Sequence, residues 1–145
     1  MPLPLNRFEQ AEDSDDNELI LDGTVEGSTI DEVRLWELAT YYVDVSTDGT
    51  AFVFPGFAGT VSSIALITSG TIDSGTANIT PQIDGINIGV PAASFGVGPP
   101  GQEVVLIPTS ANTFTDDVVI GISFDGNTVG DVPVHILLKV SKAEV

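Results

Sequence analysis

Ile79-Thr80-Pro81-Gln82-Ile83-Asp84-Gly85-Ile86 alternates apolar and polar side chains and then meets Asp-Gly. Alternation with a period of two is the mark of a strand with one face buried and one wet. Asp-Gly tolerates positive φ at both positions, so the chain reverses there in a tight two-residue hairpin. Pro81 has no N–H to give to a ladder, which puts its strand at a sheet edge or at a bulge.

The same signals recur on both sides. Asp48-Gly49 and Asp125-Gly126 also fall between apolar runs and predict hairpin turns. Val118 to Phe124 alternates well. From residue 41 onward Thr, Val, Ile and Phe dominate, and Gly, Pro, Asp and Asn punctuate. Strands are predicted near 41–46, 50–55, 60–68, 76–84, 86–89, 103–107, 117–124 and 132–141. Residues 90–101, rich in Pro and Gly around Phe95, read as a long ordered loop or crossover. Residues 28–40 are two-sided. Thr29 with Glu32 is a capping-box pattern, yet Val33, Leu35 and Ala39 alternate imperfectly, and a strand running into Tyr41-Tyr42-Val43-Asp44-Val45 is favoured. No helix longer than two turns is expected after residue 40, and no internal repeat stands out. The fold class is therefore all-β: an antiparallel β-sandwich, jelly-roll or Greek-key like.

The 145 residues suffice for one domain with a sizeable core, and there is no cysteine. That excludes thiol catalysis, Cys-based zinc sites and iron–sulfur clusters. Asp plus Glu number 21 against 4 Lys plus Arg, a formal charge of -17. Neutralising phosphates needs clustered cations, and Arg7, Arg34, Lys139 and Lys142 are all there are. Nucleic acid and anionic membrane surfaces are excluded as partners. The start lacks a basic segment followed by a long apolar one, and no apolar run approaches membrane-spanning length, so a soluble chain without a signal peptide is expected. Copies of such a chain repel one another, and any self-association must rest on apolar contact.

The acids crowd at the N-terminus. Glu9, Glu12, Asp13, Asp15, Asp16 and Glu18 form the densest run, flanked by Leu3, Leu5 and Phe8 before it and Leu19, Ile20 and Leu21 after it. A stretch with so little to bury is extended on its own, and its apolar flanks suit an arm that orders on a partner. Residues 1–29 are assigned as an extended acidic arm and 30–145 as the sandwich.

Catalytic signals are weak. His135, the only histidine, reads as a strand residue with an ordinary hydrogen bond. Gly121-Ile122-Ser123-Phe124-Asp125 misses a nucleophile elbow, since Asp stands at its fifth position and no helix follows. Asp73-Ser74-Gly75 resembles the active-site triplet of aspartic proteases, and Val119-Ile120-Gly121 could pass for that family's apolar-apolar-Gly element. But Ser69-Gly70-Thr71 interrupts the apolar run the family places before the aspartate, so a polar inter-strand loop is expected. Asp44, Asp48, Asp84, Asp116 and Asp117 are loop carboxylates of the kind calcium takes, without EF-hand spacing. No metal, no cofactor and no enzymatic activity are assigned. Trp36, Tyr41, Tyr42, Phe57 and Phe95 are candidate subunit-interface or ligand-facing aromatics, with Phe52 and Phe54 close by.

One resemblance runs through the chain. Val43-Asp44-Val45-Ser46 leads through Gly49 to Phe52. Phe57-Ala58-Gly59-Thr60-Val61, Ile64-Ala65-Leu66-Ile67, Gly70-Thr71-Ile72, Ala77-Asn78-Ile79-Thr80 and Ile83-Asp84-Gly85 follow, and the chain closes with Val118 to Phe124 and Val134 to Val140. This order of turns and apolar runs, over about two-thirds of the chain, is similar to the small β-sandwich head decoration (cement) and head-fibre proteins of tailed bacteriophages. The resemblance implies a homotrimer on the outer capsid surface of the virion, assembled in the host cytoplasm and bound to the major capsid protein, with the N-terminal arm holding it down. Two other functions stay open. One is a receptor- or carbohydrate-binding domain of a phage fibre, with an aromatic patch around Trp36 or Phe95. The other is a retroviral-type aspartic protease, dimeric, using Asp73.

Overall fold

The computed structural model describes residues 35–42 and 44–143. The predicted arm, with Leu3, Leu5, Phe8, Leu19, Ile20 and Leu21, lies outside the described residues, as does the domain boundary drawn at residue 30. The described chain is an all-β antiparallel sandwich, with no helix among the described residues.

Its strands are β1 (Leu35–Tyr42), β2 (Asp48–Val53), β3 (Gly59–Thr68), β4 (Ser74–Gly75), β5 (Ala77–Ile83), β6 (Ile86–Asn87), β7 (Ala93–Phe95), β8 (Glu103–Leu106), β9 (Thr113–Phe114), β10 (Ile120–Asp125), β11 (Thr128–Val129) and β12 (Val134–Lys142). One sheet runs β1-β12-β3-β8, with β9 also on β3. The other runs β2-β10-β5-β6, with β7 also on β5, and β11 and β4 make a small ribbon. The long strands alternate between sheets, and the last strand of each pair inserts beside an early one. This is the jelly-roll order.

One core joins the two sheets. Val61, Ile64, Leu66, Leu106, Val134, Ile136, Leu138 and Val140 come from the first; Ala51, Ala77, Ile79, Phe95, Ile120, Ile122 and Phe124 come from the second. Burying each large apolar side chain contributes about 1.5–3 kcal/mol. Phe95 corrects an expectation. It is only 1% exposed, so it is a core residue rather than a ligand-facing one. The segment around it is not all loop: β7 pairs with β5, and Phe95 stands opposite Ala77, where a small neighbour leaves room for its ring.

Asp84-Gly85 turns as expected. Both have positive φ, 52° and 79°, and Ile83 pairs with Ile86. Pro81 is accommodated at an interrupted edge. Its carbonyl accepts from Ile88 N at 3.0 Å, so its nitrogen faces the same side, where β6 has ended and β7 has not begun. The turn expected at Asp48-Gly49 comes earlier. Asp44 accepts from Ser46 N at 2.8 Å and Ser46 Oγ at 2.6 Å, while Thr47 N donates to its carbonyl. Asp48 and Gly49 then belong to β2. Gly49 is needed there for a different reason: a Cβ on it would stand 2.5 Å from Tyr42 Oη. Gly126 does turn, at φ 69°, but into β11, which pairs with β4 rather than back onto β10.

Candidate functional site: the outer face of the first sheet

The two outward faces of the sandwich differ in chemistry. On β12, Ile136 and Leu138 point into the core, so His135, Leu137 and Lys139 point out. The registers align these with their neighbours. Ala39, Leu137, Ala65 and Val105 form one row across β1, β12, β3 and β8, and Tyr41, His135, Ile67 and Glu103 form the next. The row of four spans about 14 Å, three strand spacings. Val105 is 54% exposed and Ile67 43%. Small Ala39 and Ala65 between larger neighbours leave a hollow of about 310 Å³, bordered by Ile67, Glu103, His135 and Leu137. Contiguous apolar surface of this kind marks an interaction site far more often than scattered exposed residues do.

Charge is sparse on this face. Glu37 and Glu103 are the only acids on the sheet's five strands, and Lys139 Nζ lies 3.8 Å from Glu37. The Tyr41 ring packs on His135 at 5.3 Å. His135 is thus a strand residue, as expected, and sits at the border of the apolar hollow.

The opposite outer face is a polar ladder. Thr50 and Ser123 hydroxyls bond at 2.6 Å, and Gln82 donates to Asn87 at 3.0 Å. Asp125 accepts from Asn78 N, Asn78 Nδ2 and Asn127 Nδ2. Burial works against ionisation of Asp125, but the hydrogen bonds from Asn78 and Asn127 outweigh it and hold the carboxyl below its ordinary value. Asp44 behaves alike: burial opposes, while bonds from Ser46, Val132 and Thr47 prevail and lower it. Phe52 is the exception on this side, 64% exposed. Its ring lies over Gly121, where a Cβ would come within 3.4 Å of it.

The other aromatics singled out in the sequence divide. Tyr41, half exposed, belongs to the apolar face. Tyr42 points inward, stacks on Phe124 at 4.7 Å and donates to Thr47 O at 2.7 Å. Burial, then the carboxylates of Asp48 and Asp44, raise its phenol above the ordinary value, so it stays a neutral donor. Trp36 covers Phe57 at 5.7 Å, Phe57 meets Phe114 at 6.1 Å, and Lys142 Nζ sits 5.9 Å above the Phe57 ring. Phe114 is buried and Trp36 remains 39% exposed, and the three rings are not gathered with Tyr41 or Phe95 into one surface.

Asp73 lies in an exposed link, its N–H bonded to Val129 O, and Ser74-Gly75 is a ribbon strand. Ile120 and Gly121 belong to β10, which continues as a strand to Asp125. Among the described residues, no three of His, Asp and Glu converge as a metal site.

Sequence inspection missed Ala39, Ala65, Ile67, Val105 and Leu137. The signal was present: Ile64-Ala65-Leu66-Ile67, Val104-Val105-Leu106-Ile107 and Ile136-Leu137-Leu138 are apolar on both faces, unlike the alternating β5 and β10. Short continuous apolar runs are consistent with strands covered on both sides.

No family model matches this chain, and no curated protein matches it. Among solved structures it is similar to the CBM36-1 domain of a multidomain xylanase from the hindgut metagenome of Trinervitermes trinervoides, at 14% identity and a TM-score of 0.42, over 76% of this chain and 100% of that one.

Proposed function

We propose that this chain is a non-catalytic structural protein that decorates the outside of a phage capsid as a homotrimer bound to the major capsid protein. The observation that carries the reading is the apolar outer face of the β1-β12-β3-β8 sheet in a chain of net charge -17. A surface of that kind on a chain so strongly self-repelling is suited to being covered by protein. The order of turns and strands supports the phage setting, and the apolar residues Leu3, Leu5, Phe8, Leu19, Ile20 and Leu21 are the candidate grip on the shell. Its place is the virion's outer surface, reached in the host cytoplasm. A protein that binds only the assembled shell stabilises it by mass action, by about 2.7 kcal/mol per site at a concentration 100 times Kd, and joining three weak grips in one trimer multiplies their affinity.

Co-sedimentation with capsids that lack the chain tests this. The full chain is expected to pellet with the shell, and a chain without residues 2–29 to stay in the supernatant. A full chain that never pellets contradicts the reading.

A second reading has one observation in its favour. Phe52 presents an open ring beside the Gln82–Asn87 amides and the Thr50–Ser123 hydroxyls, a combination of stacking surface and hydrogen-bonding groups that suits a sugar. It would make the chain the carbohydrate-binding domain of a fibre. Affinity electrophoresis through soluble polysaccharides would then show retardation that Phe52→Ala abolishes. Equal mobility of both proteins would remove this reading.

A further inference from the structure

We infer that the outer face of the β1-β12-β3-β8 sheet is where copies of this chain meet, with Ala39, Ala65, Ile67, Val105 and Leu137 at the contact. The inference takes its stoichiometry from the homotrimer proposed above; the surface is what it adds.

Three observations choose another copy over a different protein. First, the face is apolar along a full row across four strands, and its two alanines, Ala39 at the edge and Ala65 within, let a facing backbone come close. Second, copies of net charge -17 must meet where they are least negative. The five strands of this sheet carry only Glu37, already beside Lys139, and Glu103. Third, a basic partner would gain more from the other side of the sandwich, where Asp48 and Asp125 stand on neighbouring strands and Asp84 at the hairpin tip. An apolar, nearly neutral row can offer its two sides to two neighbouring copies, and every further copy brings both sides. In a threefold arrangement the contact is heterologous. The Ala39–Tyr41 side of one copy then lies against the Ile67–Val105 side of the next.

Light scattering on the full chain tests this. Wild type is expected near 45 kDa, three times 15.1 kDa. Ala39→Glu and Ala65→Glu each place a carboxylate in the row, and the mass should fall threefold. Ala39 is exposed on an edge strand, so Ala39→Glu keeps its fold, checked by circular dichroism, even if Ala65→Glu does not. Thr80→Glu, on the polar face, should leave the mass unchanged. If Ala39→Glu and every folded variant of the row stay at 45 kDa, the copies meet elsewhere; the inference is overturned and the trimer stands. If wild type stays at 15.1 kDa up to its solubility limit, the inference and the trimer fall together. Capsid co-sedimentation of the wild-type chain judges the shell-binding reading separately in either case.

Discussion

The sandwich has two outward faces built from the same kind of strand, and they are finished differently. On β2, β10 and β5, every outward position except Phe52 and Gly121 is a hydroxyl, an amide or a carboxylate, and most of these groups bond to polar neighbours: Thr50 with Ser123, Gln82 with Asn87, Asp125 with Asn78 and Asn127. On β1, β12, β3 and β8 the outward row is Ala39, Leu137, Ala65 and Val105. A face that satisfies its own polar groups needs nothing further. A face of methyl groups gains free energy by losing water, about 25 cal/mol for each Å² covered. One core therefore carries one outer surface of polar side chains and one with an apolar row.

Neighbouring residues on β12 give the sharpest contrast and the largest expected effect. Leu138 is fully in the core, and Leu137 faces out. Leu138→Ala should lower the unfolding free energy by about 2–5 kcal/mol in denaturant titrations. Leu137→Ala in dilute, unassociated protein should cost well under that, and its effect should grow with protein concentration. Equal losses at all concentrations would mean that Leu137 acts through the fold alone.

Next in size, Asp125→Ala on the polar face strips a partner from two backbone N–H groups and two amides. A loss of about 0.5–1.5 kcal/mol is expected, read from the same titrations. Association should be unaffected, because the residue lies on the other face.

The acid limb of the stability curve separates the faces again. Asp44 and Asp125 have folded-state pKa values below the ordinary 3.8. Their contribution is complete above that value and is lost as pH falls through the lower folded one. Unfolding free energy should therefore decline below roughly pH 4, and Asp125→Asn should flatten that decline. A slope unchanged in the variant would show that the hydrogen bonds to Asp125 carry no linkage.

The smallest expected effect is that of salt. Raising ionic strength from 0.1 M to 1 M shortens the screening length from about 10 Å to about 3 Å. The repulsion between acidic copies weakens and the apolar contact does not, so self-association measured by sedimentation should tighten modestly. Weakening with salt would point to ion pairs at the contact.

Much of this was legible in the sequence. Clean alternation in Ile79 to Ile83 and in Val118 to Phe124, with Asp84-Gly85 between apolar residues, gave the sandwich and one hairpin correctly, because period and turn chemistry are local properties. Asp48-Gly49 misled because side-chain hydrogen bonds of Asp44 close the turn three residues sooner, and Gly49 is small to admit the Tyr42 ring from the other sheet. That constraint is tertiary. Phe95 looked surface-bound amid Pro and Gly, yet a short strand carries it opposite Ala77 into the core. The apolar face escaped notice for a similar reason. Ala39, Ala65, Val105 and Leu137 are far apart in the chain, and only the register of β1, β12, β3 and β8 lines them up.

The central claim is that copies of the chain cover one outer face and leave the other open. The chain has no cysteine, so a single engineered thiol reports on one face at a time. Ala39→Cys should react slowly with a thiol reagent at high protein concentration and quickly once diluted, while Thr80→Cys reacts at one rate throughout. Equal rates for Ala39→Cys at all concentrations, in protein shown by its mass to be assembled, would contradict the account.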